Sequence, residues 1–273
     1  MKTYFLFHDL WYQYYKADLA AAEFPFDGFI VVRKTRPWWG AYLWKRARRL
    51  GFAKTLDEAL LRLYWLAFEH PADVRRLRRL LAESRQRIPA DYRRPPVYRI
   101  DDINSDEAAQ TLRQLAPDVC VLMCNVILRP EIFSIPPLGM LVFHPGVTPE
   151  YRGPHSAFWA TLNNEFWGIG WSLLRIDAGI DTGAVLAQGT CRSADPRSES
   201  HVVMQHKAHV DGIAGVVETL RRLESGERPM VDTAGRASNN YTHPGFTDWL
   251  RLRRFLAKLK KADVPARSES ERV

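Results

Sequence analysis

A chain of 273 residues, 46% hydrophobic and 12% aromatic with nine Trp, can bury a substantial core and is too apolar to be disordered. Its three cysteines, Cys120, Cys124 and Cys191, are an odd number with two in an apolar run, which argues against a disulfide scaffold and for a reducing compartment. The start MKTYFLFHDL is too short in apolar residues for a signal peptide, and no run of about 18 apolar residues is available to cross a bilayer, so a soluble, cytoplasmic protein is expected.

The 39 Lys and Arg against 31 Asp and Glu leave +8 and a pI near 9.5, which raises nucleic acid, anionic lipid or a phosphorylated substrate as partners. The excess is clustered. From Arg33 to Lys54 there are eight basic residues and no acid, interleaved with Trp38, Trp39, Tyr42 and Trp44, and Arg251 to Lys261 repeats the pattern. Solvated helix faces would account for both runs equally well.

In chain order, Tyr4–Phe7 and Phe29–Val32 read as strands around a helix over 9–21, with no glycine-rich phosphate turn after the first strand. Residues 37–90 read as several helices, an insertion where one crossover helix would do. Thr55 with Glu58 suggests a capping-box start, and Leu56, Leu60, Leu63, Tyr64 and Ala67 follow at helical spacing. Pro71 is expected to restart the pattern in an Arg-rich helix whose Val74, Leu77, Leu80, Leu81 and Ile88 share a face. After Pro95-Pro96 come a strand Val97–Ile100, a helix capped by Ser105, a buried strand Val119–Cys124, and a strand Met140–His144. His155–Asn164 reads as a helix with Phe158-Trp159 in the core, Gly168–Ile176 and Ala184–Gln188 as strands, and a long helix runs from about Glu199 to Gly226. On it His206 and His209 share a face, read as solvated and not as zinc ligands, and no metal site is expected. This is an α/β chain: an open, mostly parallel Rossmann-like sheet with helices on both faces over 1–228, a helical insertion at about 37–90, and a short extension over 229–273.

The chemistry concentrates in residues 139–188. His144 ends an apolar strand and is followed by Pro145-Gly146, where α/β sheets build sites, and the loop Asp177-Ala178-Gly179-Ile180-Asp181-Thr182-Gly183 also follows a strand. An imidazole can polarise a carbonyl, and a carboxylate can orient it and accept a proton from an attacking nucleophile. On residue type alone, a His beside a Pro is more often a satisfied structural residue, and Asp177 is equally suited to bond its own glycine turn.

His144-Pro145, then Thr148-Pro149-Glu150-Tyr151-Arg152-Gly153, then Asp177 to Gly183, match in order and spacing the motifs of the formyltransferase family, which this stretch resembles. Cys124 to Pro130 resembles the strand end at which that family binds folate, and the similarity covers about residues 97–228. The resemblance implies transfer of a formyl group from 10-formyltetrahydrofolate, as co-substrate, to an amine. It implies that His144 donates to the oxyanion and that Asp181 positions His144 or a water and helps remove the amine's proton. The pterin would contact Asn125, Val126, Ile127 and Leu128 and the loop Asp177, Ala178, Gly179, Ile180, while Tyr151, Arg152 and His155 would face the acceptor. One position departs. The family's catalytic asparagine, two residues before the histidine, is Val142 here, and loss of one such donor typically costs on the order of 10²–10³ in rate. Asn125 is the candidate third catalytic group in its place, its plain alternative being a strand-end cap.

Methionyl-tRNA is disfavoured as acceptor by the short stretch after Arg228, and glycinamide ribonucleotide by the missing phosphate turn. A small-molecule amine remains, an amino sugar or an amino acid, with no specific nucleic acid expected. Hydrolysis of the formyl donor and a non-catalytic folate-binding or interaction module are the rival readings. Trp249, Leu252, Leu256 and Leu259 oppose Arg251, Arg254, Lys258 and Lys261 on a basic amphipathic helix suited to an anionic membrane, a partner chain or a homodimer, or docked on the core.

Overall fold

The computed structural model describes residues 1–33 and 39–262. Residues 34–38, with Trp38 of the basic run, and residues 263–273 of the C-terminal extension lie outside the described residues, as do the side chains of Trp39, Tyr42 and Lys261.

Seven strands form one sheet in the order β3-β2-β1-β4-β5-β6-β7. They are β1 (Thr3–His8), β2 (Gly28–Val32), β3 (Val97–Ile100), β4 (Val119–Met123), β5 (Met140–His144), β6 (Gly170–Arg175) and β7 (Val185–Thr190). The first five run parallel, and β6 lies antiparallel between β5 and β7. Strands β1, β2 and β4 are buried at every position, as continuous apolar runs covered on both faces should be. On one face Phe5, Phe7, Leu141 and Phe143 pack against α1 (Trp11–Glu23) and α8 (His201–Glu224); on the other Tyr4, Leu6, Leu122 and Met140 pack against α5 (Asp106–Leu115) and α6 (Pro130–Phe133). Ser105 caps α5 by accepting from the Ala108 N–H. Strand order reverses between β1 and β4, so the crevice of an open α/β sheet falls at their carboxyl ends, next to β5.

The insertion is α2 (Trp39–Leu50), α3 (Phe52–Tyr64), a π-helical turn Trp65–Glu69, and α4 (His70–Arg85). The capping box expected at Thr55 is not formed. Helix α3 starts at Phe52 because Gly51, at φ 87°, turns the chain tightly out of α2; Thr55 Oγ1 then donates to the Gly51 carbonyl, and Glu58 pairs with Arg46. Pro71 opens the next helix as expected: it sits in the first turn of α4, where its missing N–H has no intrahelical partner to lose. Leu77 and Leu81 of α4 are buried against Val210 of α8.

One further expectation changes, and among the alternatives for the C-terminal helix the docked one holds. His206 and His209 do not lie on a solvated face: buried Lys16 of α1 donates to Nδ1 of both, at 2.7 and 3.0 Å, and His209 Nε2 donates to the Phe143 carbonyl at 3.0 Å. The apolar side of α9 (Phe246–Ala262) is docked, with Leu252 buried and Trp249 against Tyr64 of α3, ring centroids 4.4 Å apart. Between α7 (Ser156–Leu162) and β6 lies a short 3-10 turn, Phe166–Gly168.

Candidate active site

Side chains alternate along β5, so Met140, Val142 and His144 share one face. His144, the last residue, is 6% exposed. Its Nε2 donates to the Tyr151 carbonyl at 2.9 Å, and its Nδ1 faces Asp181 Oδ2 at 3.5 Å. That leaves Nδ1 as the ring nitrogen turned to the carboxylate. Asp181 sits at φ 51°, a left-handed conformation that aspartate tolerates better than most residues, and its Oδ2 accepts the Gly153 N–H at 3.0 Å. Arg152 donates to the Ile180 carbonyl at 3.2 Å. Two loops from different strand ends are thereby latched together around His144. The latch requires glycine at 153: φ is +83°, and a Cβ there would lie 2.4 Å from the Tyr241 carbonyl oxygen.

The neighbouring strand end has its own clamp. Asn104 donates to the Ile127 carbonyl at 2.9 Å and accepts the Arg129 N–H at 2.8 Å, holding 127–129 in place. Leu128 is buried, Val126 is half-buried, and Ile127 is 78% exposed. Asn125 accepts from His8 Nε2 at 3.1 Å, at the end of β1. Asp177 bonds its own turn, accepting from the Gly179 N–H and Thr182 Oγ1 at 2.9 and 2.7 Å, and leaves Ala178, Gly179 and Ile180 exposed.

The structure thus brings His144, Asp181, Arg152 and the 177–181 loop together, and sets Asn125 on the adjacent strand end in a bond to His8. Tyr151 is a correction. Its side chain is fully buried, donates to Glu165 at 2.5 Å and stacks on Tyr241, so only its carbonyl reaches the site. Burial and the Glu165 carboxylate push its hydroxyl pKa up. His155 turns toward a separate cavity of about 380 Å³ beneath the insertion, where its Nε2 lies 3.2 Å from His243 Nδ1 and its ring packs on His201. Its Nδ1 is buried without a partner among the described residues, as is Glu58 Oε1 in the same cavity wall. Burial, then the nearby His201 and His243, hold His155 well below the usual imidazole range.

Sequence reasoning did not single out His8, Asn104, Arg236 or His243. Arg236 of the C-terminal extension grips both Glu150 oxygens at 2.8 and 2.7 Å and donates to Gln188 at 2.6 Å, tying the extension to the loop after β5. None carries a local motif; Arg236 and Glu150 are 86 residues apart in sequence. Behind His144, burial lowers Lys16 from 10.5 to about 7, and burial followed by the Lys16 charge holds His206 and His209 well below the imidazole range.

A family profile described as formyl transferase matches residues 70–220, more than half of the chain and every group from Asn104 to Asp181. The chain belongs to the formyl transferase family. Among curated relatives, a methionyl-tRNA formyltransferase of Chloroflexus aggregans is 42% identical over 133 residues, covering 48% of this chain and 42% of the relative. Another from Idiomarina loihiensis is 27% identical over 179 residues, covering 62% and 54%. The chain spans about half the length of the curated relatives it matches. In solved structures the same fold occurs in a phosphoribosylglycinamide formyltransferase from Streptococcus pneumoniae, at TM-score 0.50 and 18% identity over 82% of this chain and 99% of that one. It occurs also in a sugar N-formyltransferase from a Shewanella species, at TM-score 0.52 and 13% identity over 93% and 88%. Helices α2 and α3 lie outside the span matched by the formyl transferase profile.

Proposed function

We propose that this formyl transferase family member moves a formyl group from 10-formyltetrahydrofolate to the amine of a small molecule, an amino sugar or an amino acid. The observation that carries the reading is the His144–Asp181 pair, 3.5 Å apart at the end of β5 and latched by Gly153. The donor fits the residues present: Ile127 and Ile180 expose 78% and 48% of themselves on the two segments that flank His144, apolar surface that a flat ring would cover. Asn125 to Leu128 and Asp177 to Ile180 would hold it, and when bound it supplies the formyl carbon.

The protein's own residues then have distinct tasks. With Nε2 already donating to the Tyr151 carbonyl, His144 carrying a proton on both ring nitrogens would direct its Nδ1–H toward the oxygen on which negative charge develops. Asp181 orients that ring and takes the proton released by the amine. Arg152 borders the acceptor side, whereas His155 faces the separate cavity beneath the insertion. Val142 offers no hydrogen bond, and the Asn125 amide, whose oxygen is engaged by His8, would present its N–H groups instead.

The test is turnover of 10-formyltetrahydrofolate by the purified protein with a panel of amino sugars, amino acids and methionyl-tRNA, wild type beside Val142→Asn. Formyl transfer to a small amine, increased in Val142→Asn, is the expected result. Transfer to methionyl-tRNA alone would overturn the acceptor class while keeping the site. Hydrolysis of the donor is the second reading. It is favoured by the half-buried Val142 on the His144 face, and it requires donor consumption that ignores every amine.

A further inference from the structure

Helix α3 carries an apolar stripe that it leaves largely exposed. In α3, Phe52, Leu56, Leu60 and Leu63 are 76%, 48%, 46% and 56% exposed. At 3.6 residues per turn these four fall within an arc of about 80°, one continuous stripe. Beyond α3, the π-helical turn also exposes Leu66 and Phe68, 43% and 70%, on opposite sides of it. The opposite side of the helix is the one that packs: Thr55 and Leu61 are buried, and Glu58 pairs with Arg46 of α2.

The stripe has a basic frame. Helix α2 packs on one side of α3 and exposes Trp44, Lys45, Arg48 and Arg49, with the Arg48 guanidinium 5.5 Å from the Trp44 ring centre. Helix α9 packs on the other through Trp249 and exposes Arg251, Arg253, Arg254 and Lys258. The acids within the frame are engaged: Asp57 accepts from the Thr247 N–H and hydroxyl, and Asp248 pairs with Lys54.

We infer that the α3 stripe, framed by the basic faces of α2 and α9, lies flat on an anionic lipid bilayer. Leucine and phenylalanine side chains enter the headgroup boundary while the arginines and lysines meet lipid phosphates, with Trp44 at the interface. Charge decides against a second copy of the chain, because a two-fold contact through the stripe would set the basic frame of one copy against that of the other. Among the described residues no helix is long and apolar enough to cross a membrane, so the contact is peripheral. This inference does not depend on formyl transfer.

Co-sedimentation of the full chain with phosphatidylcholine vesicles, and with vesicles of phosphatidylcholine and phosphatidylglycerol, tests it. Binding to the anionic vesicles should be at least about tenfold tighter than to the neutral ones and should weaken with salt. The variant Leu56→Ser/Leu60→Ser/Leu63→Ser should lose about tenfold or more with an unchanged circular dichroism spectrum, since all three side chains are exposed. Lys45→Glu/Arg48→Glu/Arg49→Glu should remove the preference for anionic lipid and leave the leucines in place. Failure to bind either vesicle, or undiminished binding by the serine variant, overturns the inference. So does a concentration-dependent dimer in sedimentation velocity that the serine variant abolishes, which would assign the stripe to a second copy.

Discussion

The strand ends around His144 and the helical insertion are built on opposite principles. Around His144 polar groups engage one another: Nε2 with the Tyr151 carbonyl, Asp181 with Gly153, Ile180 with Arg152, Ile127 with Asn104, Glu150 with Arg236. On α3, four large apolar side chains stand about half to three-quarters exposed among the described residues. Apart from Arg236, the first region falls inside the family match, and helices α2 and α3 of the second fall outside it. The proposed site is thus held by a hydrogen-bonded latch, and the apolar stripe lies on a surface outside that latch.

That contrast can be broken at the latch or at its support. His144→Ala should give the largest effect, a loss of turnover on the order of 10²–10⁴ with the melting temperature little changed, as general acid–base groups do. Gly153→Ala should come next. Its Cβ collides with the Tyr241 carbonyl and turns the Gly153 N–H from Asp181, so kcat should fall about 10²-fold, more than KM rises, in steady-state assays. If the serine variant of α3 loses turnover as severely with water-soluble substrates, the two regions are not separable.

The smallest effect is on stability and its pH dependence. Folding lowers Lys16 from 10.5 to about 7, so between those values the unfolded chain binds the extra proton and stability should rise with pH. Below about pH 7 both states carry the proton, and the whole cost of the buried cation persists. The depressed histidines extend the trend to acid: His155, His206 and His209 resist protons that the unfolded chain accepts below 6.5, so stability should fall further as pH drops through that value. In denaturant titrations, Lys16→Met should flatten the rise between pH 7 and 10 while keeping the acid loss. It should also cost about 1–3 kcal/mol for each histidine acceptor left without its donor.

Much of this fold is legible in local sequence. Strand β5 has the bounds read from Met140 and His144, and Ser105 caps its helix as its position before an apolar run implies. The motif loops after β5 and β6 come together as their shared sheet edge requires. What local pattern cannot carry is the long-range partner. His206 and His209 read as solvated because Lys16, which takes both, stands about 190 residues earlier. Tyr151 read as a substrate contact because its motif says nothing of Glu165 or Tyr241 behind it. Periodicity in α3 identified an apolar face correctly and could not say whether the chain itself would cover it.

The central claim is that His144 and Asp181 form a formyl-transfer site. The most direct measurement is the rate of formyl loss from 10-formyltetrahydrofolate in the presence of the best amine acceptor, for wild type, His144→Ala and Asp181→Asn, with donor binding followed by calorimetry. The account predicts that all three bind the donor within a few-fold and that only wild type turns it over at an appreciable rate. Undiminished turnover in His144→Ala, or no binding of the folate to wild type, would contradict it.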